Sequence, residues 1–449
     1  MARSLAATRK TYQADFRTFK KGVSAKGPPW LRQVRQQALS RFSELGFPTA
    51  RRGNEKWKYT NVGPIADAAF SYPFHSSPEV KPAGIRRVAP WNDSWETIVF
   101  VNGRYSRPLS AAPAALNGAR VTNLAEAVRA DGDVIENHLA RHAAFEDDGF
   151  TALNTAFLRD GAFVHLPKGE SLPSPLHLVF VTTGDAEPTA SYPRTLIVAG
   201  ANSRLTVIES YVSLSSARYF TDAVTEIVLA NGAQVEHYRL LLESADAFHV
   251  GTSRVYQGRD STFSSMSFAR GAAIGRNDFR VLLDGPGSSC TLNGLYVTTG
   301  SQHVDNYINI DHAKPHTTSR LNYRGILDGK SRAVFGGTVL VRQGAVKADS
   351  HQADKNLILS EQAEVDSKPG LEIYADDVKC GHGATVGTVA EDAIFYMRSR
   401  GLDPETATAF LIKGFASEII DAVRLQPLRS YLERLVWRAL PGVRFGRRS

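Results

Sequence analysis

Leu196-Ile197-Val198, Leu205-Thr206-Val207-Ile208, Glu226-Ile227-Val228-Leu229 and Gln234-Val235-Glu236-His237-Tyr238 follow one another in close succession. They are short runs of β-branched, aliphatic and aromatic residues separated by Gly, Asn, Asp or Pro, which is how strands bounded by turns read. The same texture continues through Thr291-Leu292-Asn293-Gly294-Leu295-Tyr296-Val297 and Thr338-Val339-Leu340-Val341, so it fills the region from about Phe163 to Val389. Turns at Gly200, Gly232, Gly258 and Gly287 recur at loose intervals of about 30 residues, within the range of stacked repeats. A parallel α/β fold would interleave crossover helices with these strands, and none is legible. The alternatives left are a sandwich, a barrel or a β-helix.

Outward from this core the pattern changes. Trp30, Val34, Ala38, Phe42 and Leu45 are spaced by three and four, which predicts an amphipathic helix ended by Gly46 and Pro48. Leu124 with Val128, and Ile135 with Leu139, predict helical segments between Asn123 and His142, broken at Asp131-Gly132. Between them, Ile98-Val99-Phe100-Val101 runs as a strand into the Asn102-Gly103 turn. Past Gly387 helices return. Asp403-Pro404 is an N-cap followed by proline at the first helical position, and Phe410, Ile412, Phe415, Ile419, Ile420 and Val423 continue an apolar face. A last helix from Leu428 carries a stripe of Leu428, Tyr431, Leu432, Leu435 and Val436 opposite arginines. The expected division is an N-terminal helical and mixed region over 1–160, a β core over 161–387 and a C-terminal helical region over 388–449.

The chain has 449 residues, 43% of them hydrophobic and 22% charged, which suits a soluble globular protein with a sizeable core. No apolar run approaches the roughly 20 residues of a membrane-spanning helix, and Met1 to Gly22 lack the apolar segment of a secretory signal. A cytoplasmic location is expected. The net charge of +8 is not gathered into a basic stripe interleaved with aromatics, which argues against nucleic acid. It is densest at the two ends, at Arg9, Lys10, Arg17, Lys20 and Lys21, and at Arg429, Arg434, Arg438, Arg444, Arg447 and Arg448. Solvated tails or a surface facing an acidic partner would account for that. Cys290 and Cys380 are the two cysteines, so neither a disulfide framework nor a Cys-x-x-Cys motif exists.

Several chemistries can be set aside. Leu327-Asp328-Gly329-Lys330-Ser331 ends like a phosphate-binding loop, but Arg324 stands where the first glycine belongs, and the flanks read as hairpin strands. His312 and His316 have the spacing of a helical metal pair, yet Pro315 lies between them. His303, Asp305 and Asp311 nearby read as loop residues that satisfy backbone groups or contact solvent. No Gly-x-Ser-x-Gly elbow occurs. Cys380-Gly381-His382 is different. Two residues apart on an extended strand, a thiol and an imidazole share one face, and both are good ligands for iron, zinc or copper. Neighbouring Lys379 would favour the thiolate. Two ligands do not complete a site, so further donors would come from elsewhere in the fold, from a partner chain or from sulfide; a buried structural cysteine and a hydrogen-bonded histidine are the commoner fates of these residues and stand as the alternative. Cys290, among Ser288, Ser289 and Thr291, is expected to fill core.

The run Pro369-Gly370-Leu371-Glu372-Ile373-Tyr374-Ala375-Asp376-Asp377-Val378-Lys379-Cys380-Gly381-His382-Gly383-Ala384-Thr385-Val386-Gly387 resembles the SufB/SufD family of iron–sulfur cluster assembly proteins. So do Ile394-Phe395-Tyr396-Met397-Arg398-Ser399-Arg400-Gly401, Lys413-Gly414-Phe415, Asn54-Glu55-Lys56-Trp57-Lys58-Tyr59-Thr60, Phe100-Val101-Asn102-Gly103-Arg104 and Asp354-Lys355-Asn356-Leu357-Ile358-Leu359-Ser360. Gly383, where SufB-type chains tend to carry a carboxylate, and the scarcity of cysteine are more similar to the SufD branch. The resemblance implies a mainly β fold, a right-handed parallel β-helix core flanked by helical N- and C-terminal regions. It implies a non-catalytic scaffold subunit paired with a SufB-like paralogue, or with itself where that paralogue is absent. A SufC-like ABC-type ATPase would dock on residues 388–425. Cys380 and His382 become candidate ligands for transient iron or an Fe–S cluster shared with the partner, with no permanently bound cofactor, and Asp376 and Asp377 possible supplements to them. A stand-alone β-helix that binds or acts on carbohydrate is the alternative, although neither an export signal nor a clear carboxylate pair supports it.

Overall fold

A computed structural model describes residues 5–22, 27–50, 53–68, 70–74, 79–111, 118–184 and 188–439. Arg444, Arg447 and Arg448 of the basic end lie outside the described residues, as do the side chains of Arg9 and Lys10. The chain opens with helices α1 (Leu5–Gly22), α2 (Pro29–Leu45), α3 (Gly63–Asp67) and α4 (Pro82–Val88). Strands β1 (Glu96–Val101), β2 (Arg104–Tyr105) and β3 (Arg120–Asn123) follow, then helices α5 (Leu124–Ala130), α6 (Gly132–His138) and α7 (Gly149–Ala156). The expected break at Asp131-Gly132 separates α5 from α6.

From Gly161 onward the backbone coils. One sheet stacks β5 (Leu176–Thr182), β8 (Arg204–Ser213), β10 (Gln234–Leu242), β12 (Thr262–Ala269), β14 (Ser289–Thr298), β16 (Thr318–Leu327), β18 (Asp349–Ile358) and β20 (Lys379–Gly387) onto β1 and β2. The facing sheet runs β3, β4 (Gly161–Leu166), β7 (Arg194–Ala199), β9 (Phe220–Leu229), β11 (Phe248–Gln257), β13 (Ile274–Leu283), β15 (His303–His312), β17 (Arg332–Val341) and β19 (Glu364–Ile373), with β6 (Ala190–Ser191) beside β9. Successive strands alternate between sheets and pair in parallel, so the core is a β-solenoid. Each coil takes 27 to 31 residues, as the register pairs Arg204–Gln234, Gln234–Thr262, Thr262–Ser289, Ser289–Thr318, Thr318–Asp349 and Asp349–Lys379 show.

The period is kept at a corner. Asn202, Gly232, Asp260, Gly287, His316, Lys347 and Asp377 each stand two residues before a strand of the first sheet, and all have left-handed φ between 54° and 75°. Their backbones are stitched together: Gly232 N–H donates to Arg259 O at 2.8 Å, Asp260 to Pro286 O at 3.0 Å, His316 to Val346 O at 2.9 Å and Lys347 to Asp377 O at 2.9 Å. The loose glycine spacing in the sequence is thus a regular corner in which glycine fills two of seven places. The strands flanking Asp328-Gly329 are also not a hairpin, because β16 and β17 belong to different sheets.

Between the sheets the lumen is largely apolar, with Leu205, Val235, Phe263, Leu292, Leu321, Phe335 and Val339 all buried. A polar seam runs through it near the C-terminal end. Tyr296 Oη donates to Asn356 Oδ1, Asn356 Nδ2 donates to Asp354 Oδ2 at 2.8 Å, and Ser367 Oγ donates to the same oxygen at 2.6 Å. Burial still dominates and pushes the Asp354 carboxyl up to about 6.

Helices cover the outside. Most of the N-terminal ones lie on the second sheet, where Phe16, Phe19, Phe42, Phe150 and Phe157 meet Tyr192, Phe220 and Phe248, whereas α4 packs its Ile85 on β1, β5 and β8 of the first. This layer is riveted by Arg194, fully buried with Glu226 at 2.6 Å. Glu226 also accepts the N–H groups of Ala140, His142 and Ala143. Burial opposes its ionisation, but Arg194 and those amides outweigh it and hold the carboxyl below its usual range. After α8 (Glu391–Ser399), the helices α9 (Pro404–Ile420) and α10 (Gln426–Ala439) sit on the first sheet. Asp403 caps α9 by accepting from Thr406 N at 2.9 Å, as its sequence predicts. Ile412, Ile419, Leu428, Leu432 and Val436 pack on Tyr238, Leu240, Phe268 and Leu295. Phe410 departs from the expected apolar face and is 44% exposed, and α10 starts at Gln426 because Pro427 fits a first helical turn.

Gly287→Ala places a methyl against Asp260 Oδ1 at a left-handed φ of 75°. It is expected to lower the unfolding free energy by about 1–3 kcal/mol in urea titration. Asp354 gives a pH signature. Because its folded pKa lies above the unfolded value, the native state keeps the proton longer and stability falls as pH rises from about 4 through about 6. Asp354→Asn should remove that decline, worth at most about 3 kcal/mol, when melts are compared at pH 4.5 and 7.5.

Candidate functional site

The solenoid has an open end. β20 pairs with β18 alone and β19 with β17 alone, so the last coil presents two strand edges without partners among the described residues. On β20, Cys380 stands over Ser350 and His382 over Gln352 in register. Ser350 and Gln352 are buried lumen residues, so the pleat turns Cys380 and His382 toward the lumen as well. The expectation that they share a face is met. Cys380 is half-buried and packs on the lumen core, whereas His382 is exposed.

Burial raises the Cys380 thiol, the Asp349 carboxylate adds to that, and a backbone hydrogen bond at Ser350 opposes it. The expected help from Lys379 is not there. Strand alternation turns Lys379 to the outer face, in register with Asp349, where it acts on that carboxylate. Asp376 and Asp377 are not on the strand: they precede β20, Asp377 at the left-handed corner and ion-paired to Lys347. Among the described residues no three His, Cys, Asp or Glu side chains converge to hold a metal, so Cys380 and His382 by themselves would not complete a donor set. A thiolate and an imidazole do suit iron, and a lone pair of donors at an open edge suits a site finished from outside the chain.

The other sequence candidates fall elsewhere. His312 is buried in β15 and bonded to Thr317 Oγ1 at 2.8 Å and Ser319 Oγ at 2.9 Å, while burial lowers its pKa to about 4. His316 is a corner residue. His303 meets Thr60 Oγ1 at 3.0 Å, and Asp305 is ion-paired to Arg276. Cys290 is core: it is 2% exposed and burial pushes its thiol up to about 12. It shares a lumen column with Ser319, Ser350 and Cys380.

The surroundings of the site escaped the sequence reading. Ile373 is 42%, Tyr374 65% and Val386 50% exposed at the open end, and Phe395 and Tyr396 on α8 are 73% and 59% exposed. Apolar residues gathered on one exposed surface are a mark of an interaction site. The exposure of Ile373, Tyr374 and Val386 follows from the lack of a further coil among the described residues, which composition does not reveal.

Comparison with known proteins agrees with this arrangement. The family model "SUF system FeS cluster assembly, SufBD core domain" matches residues 180–415, and that of the SufBD protein N-terminal region matches residues 6–178. The iron–sulfur cluster assembly protein SufD of Escherichia coli is 33% identical, over 91% of this chain and 92% of its own. A SufBD family protein of Synechocystis is also 33% identical, over 90% and 89%, and SufD of Bacillus subtilis is 26% identical over 92% and 94%. The solenoid with its helical flanks, the open end and the matches over nearly the whole chain lead to one conclusion: the protein belongs to the SufBD family of SUF-system iron–sulfur cluster assembly proteins.

Proposed function

We propose that this chain is a SufD-like, non-catalytic subunit of a cytoplasmic complex that assembles iron–sulfur clusters, and that its open solenoid end is where a SufB-like paralogue joins it. The observation that carries this reading is the position of Cys380 and His382 on an edge strand with a free side, at the mouth of the lumen. An edge of this kind is a template for another chain's strand. The incoming chain extends the sheets, covers Ile373, Tyr374 and Val386, and brings the donors that the pair lacks. Iron or a nascent cluster is the cargo, held transiently by Cys380 and His382 while the partner or sulfide fills the remaining positions. Where the paralogue is absent, a second copy can occupy the same edges.

An ABC-type ATPase of the SufC kind docks on residues 388–425 in this reading, and the exposed Phe395 and Tyr396 of α8 are its contacts. α9 is fixed to the solenoid by Arg324, whose Nη1 donates to Phe415 O at 2.8 Å and whose other nitrogen pairs with Glu418. Closure of an ATPase pair would therefore move the solenoid with it and rearrange the shared interface around the two ligands. No helix among the described residues is long and apolar enough to cross a membrane. Neither family model describes carbohydrate chemistry.

Anaerobic affinity purification of the tagged chain from its own cells is expected to recover an ABC-type ATPase and a cysteine-richer paralogue. Recovery of the chain alone would overturn the complex. In the assembled complex, His382→Ala should lower cluster formation by about tenfold or more, followed by absorbance and by bound iron and sulfide. An unchanged yield removes His382 from the site. Phe395→Glu should lose the ATPase while retaining the paralogue and the melting temperature, because the side chain is exposed before docking.

A further inference from the structure

Directly below His382 in the ladder lies Gln352, 3% exposed on β18. Its amide is held from across the lumen: Nε2 donates to Gly337 O at 3.2 Å. The glycine is what permits this, since a Cβ at 337 would stand 2.6 Å from that nitrogen. A carbonyl accepts and never donates, so this bond fixes which end of the amide is nitrogen. The oxygen, Oε1, is left buried and without a hydrogen-bond partner among the described residues. An unpaired buried acceptor is destabilising, so a donor within reach would be taken up.

The residues around Gln352 narrow the choice of donor. In its own column the neighbour on the inner side is Leu321 and the neighbour on the outer side is His382. Across the lumen, the residue following Gly337 in the stack is Pro369, which has no N–H. His382 is the one of these with a side-chain N–H, and its ring makes no hydrogen bond within the described residues. Adjacent strands place the two backbones about 4.8 Å apart, a span that a glutamine and a histidine side chain bridge readily.

We propose that Gln352 is a positioning residue for His382: its Oε1 accepts one imidazole N–H, fixes the tautomer, and leaves the other ring nitrogen unprotonated and turned out of the lumen mouth toward the incoming ligand. A ring nitrogen that binds a metal is ordinarily set by the bond its partner nitrogen makes. This assignment rests on the reading of His382 as a ligand only for its purpose, because the Gln352–His382 bond exists or fails without iron.

The test uses the full chain with ring-labelled histidine, in which the His382 signals are those lost in His382→Ala. Nitrogen chemical shifts at a pH where the ring is neutral should show one dominant tautomer. Gln352→Leu, which keeps the volume and removes the acceptor, should relax it toward the mixture of a free imidazole, and Gln352→Glu should restore the single form. An unchanged tautomer in Gln352→Leu overturns the proposal, as does failure of Gln352→Glu to restore it. If Gln352→Leu does not fold, Gln352→Met gives the same reading with a flexible side chain. Cobalt(II) titration of the assembled complex is the second readout, with affinity lowered 10- to 100-fold in Gln352→Leu. A tautomer that shifts with no change in cobalt affinity would keep the Gln352–His382 bond and refute the ligand role of His382 instead.

Discussion

Everything in this molecule depends on a corner that repeats. Seven residues in succession, from Asn202 to Asp377, adopt the left-handed conformation at the same place in the coil, and the first six donate their N–H groups to the coil above. That conformation costs an L-residue roughly 1–2 kcal/mol, less for Asn and Asp and nothing for Gly. The chain meets this cost at His316 and Lys347 because the corner decides the register. A slip of one residue would turn every lumen side chain to the outside. The register then fixes which side chains are stacked: Cys290, Ser319, Ser350 and Cys380 in one column, Leu321, Gln352 and His382 in the next.

The same regularity creates a problem at the end of the stack. An in-register parallel solenoid has no natural last coil, since each edge is as ready to pair as the one before it. At its beginning the chain solves this with β3, which closes on β4 antiparallel, and with β2, which closes on β1. At its C-terminal end no described element covers β19 or β20; the chain instead turns away into α8 and packs α9 and α10 along the side of the first sheet. Native proteins blunt exposed edges with charge, bulges or cover. Here the edge keeps Ile373, Tyr374 and Val386 exposed, on the same last coil as Cys380 and His382.

Much of this was legible in the sequence, and what was not has physical reasons. Helix α2, the break between α5 and α6 and the Asp403 cap could be read because periodicity and capping are local. The solenoid period was blurred because Asn, Asp, His and Lys occupy five of the seven corner positions, so glycine marks only part of the repeat. Phe410 looked like part of an apolar face and is exposed, because the periodicity of a helix does not say which face its neighbours reach. At the site, the two-residue pleat that gives Cys380 and His382 a common face also turns Lys379 outward, away from the thiol. Gln352 could not be found from sequence, since its tie to His382 exists only once the coils are stacked.

The anchorage of the C-terminal helices has a mechanical consequence. Arg324, on β16, holds α9, and β16 lies two strands from β20 in the same sheet. Two inter-strand steps amount to about 10 Å. A load on α9 thus reaches β20, the strand of Cys380 and His382, through a very short arm, across two ladders of backbone hydrogen bonds and no intervening loop. The stiffness of that arm, more than its length, sets how faithfully a displacement at the helices is reproduced at the lumen mouth.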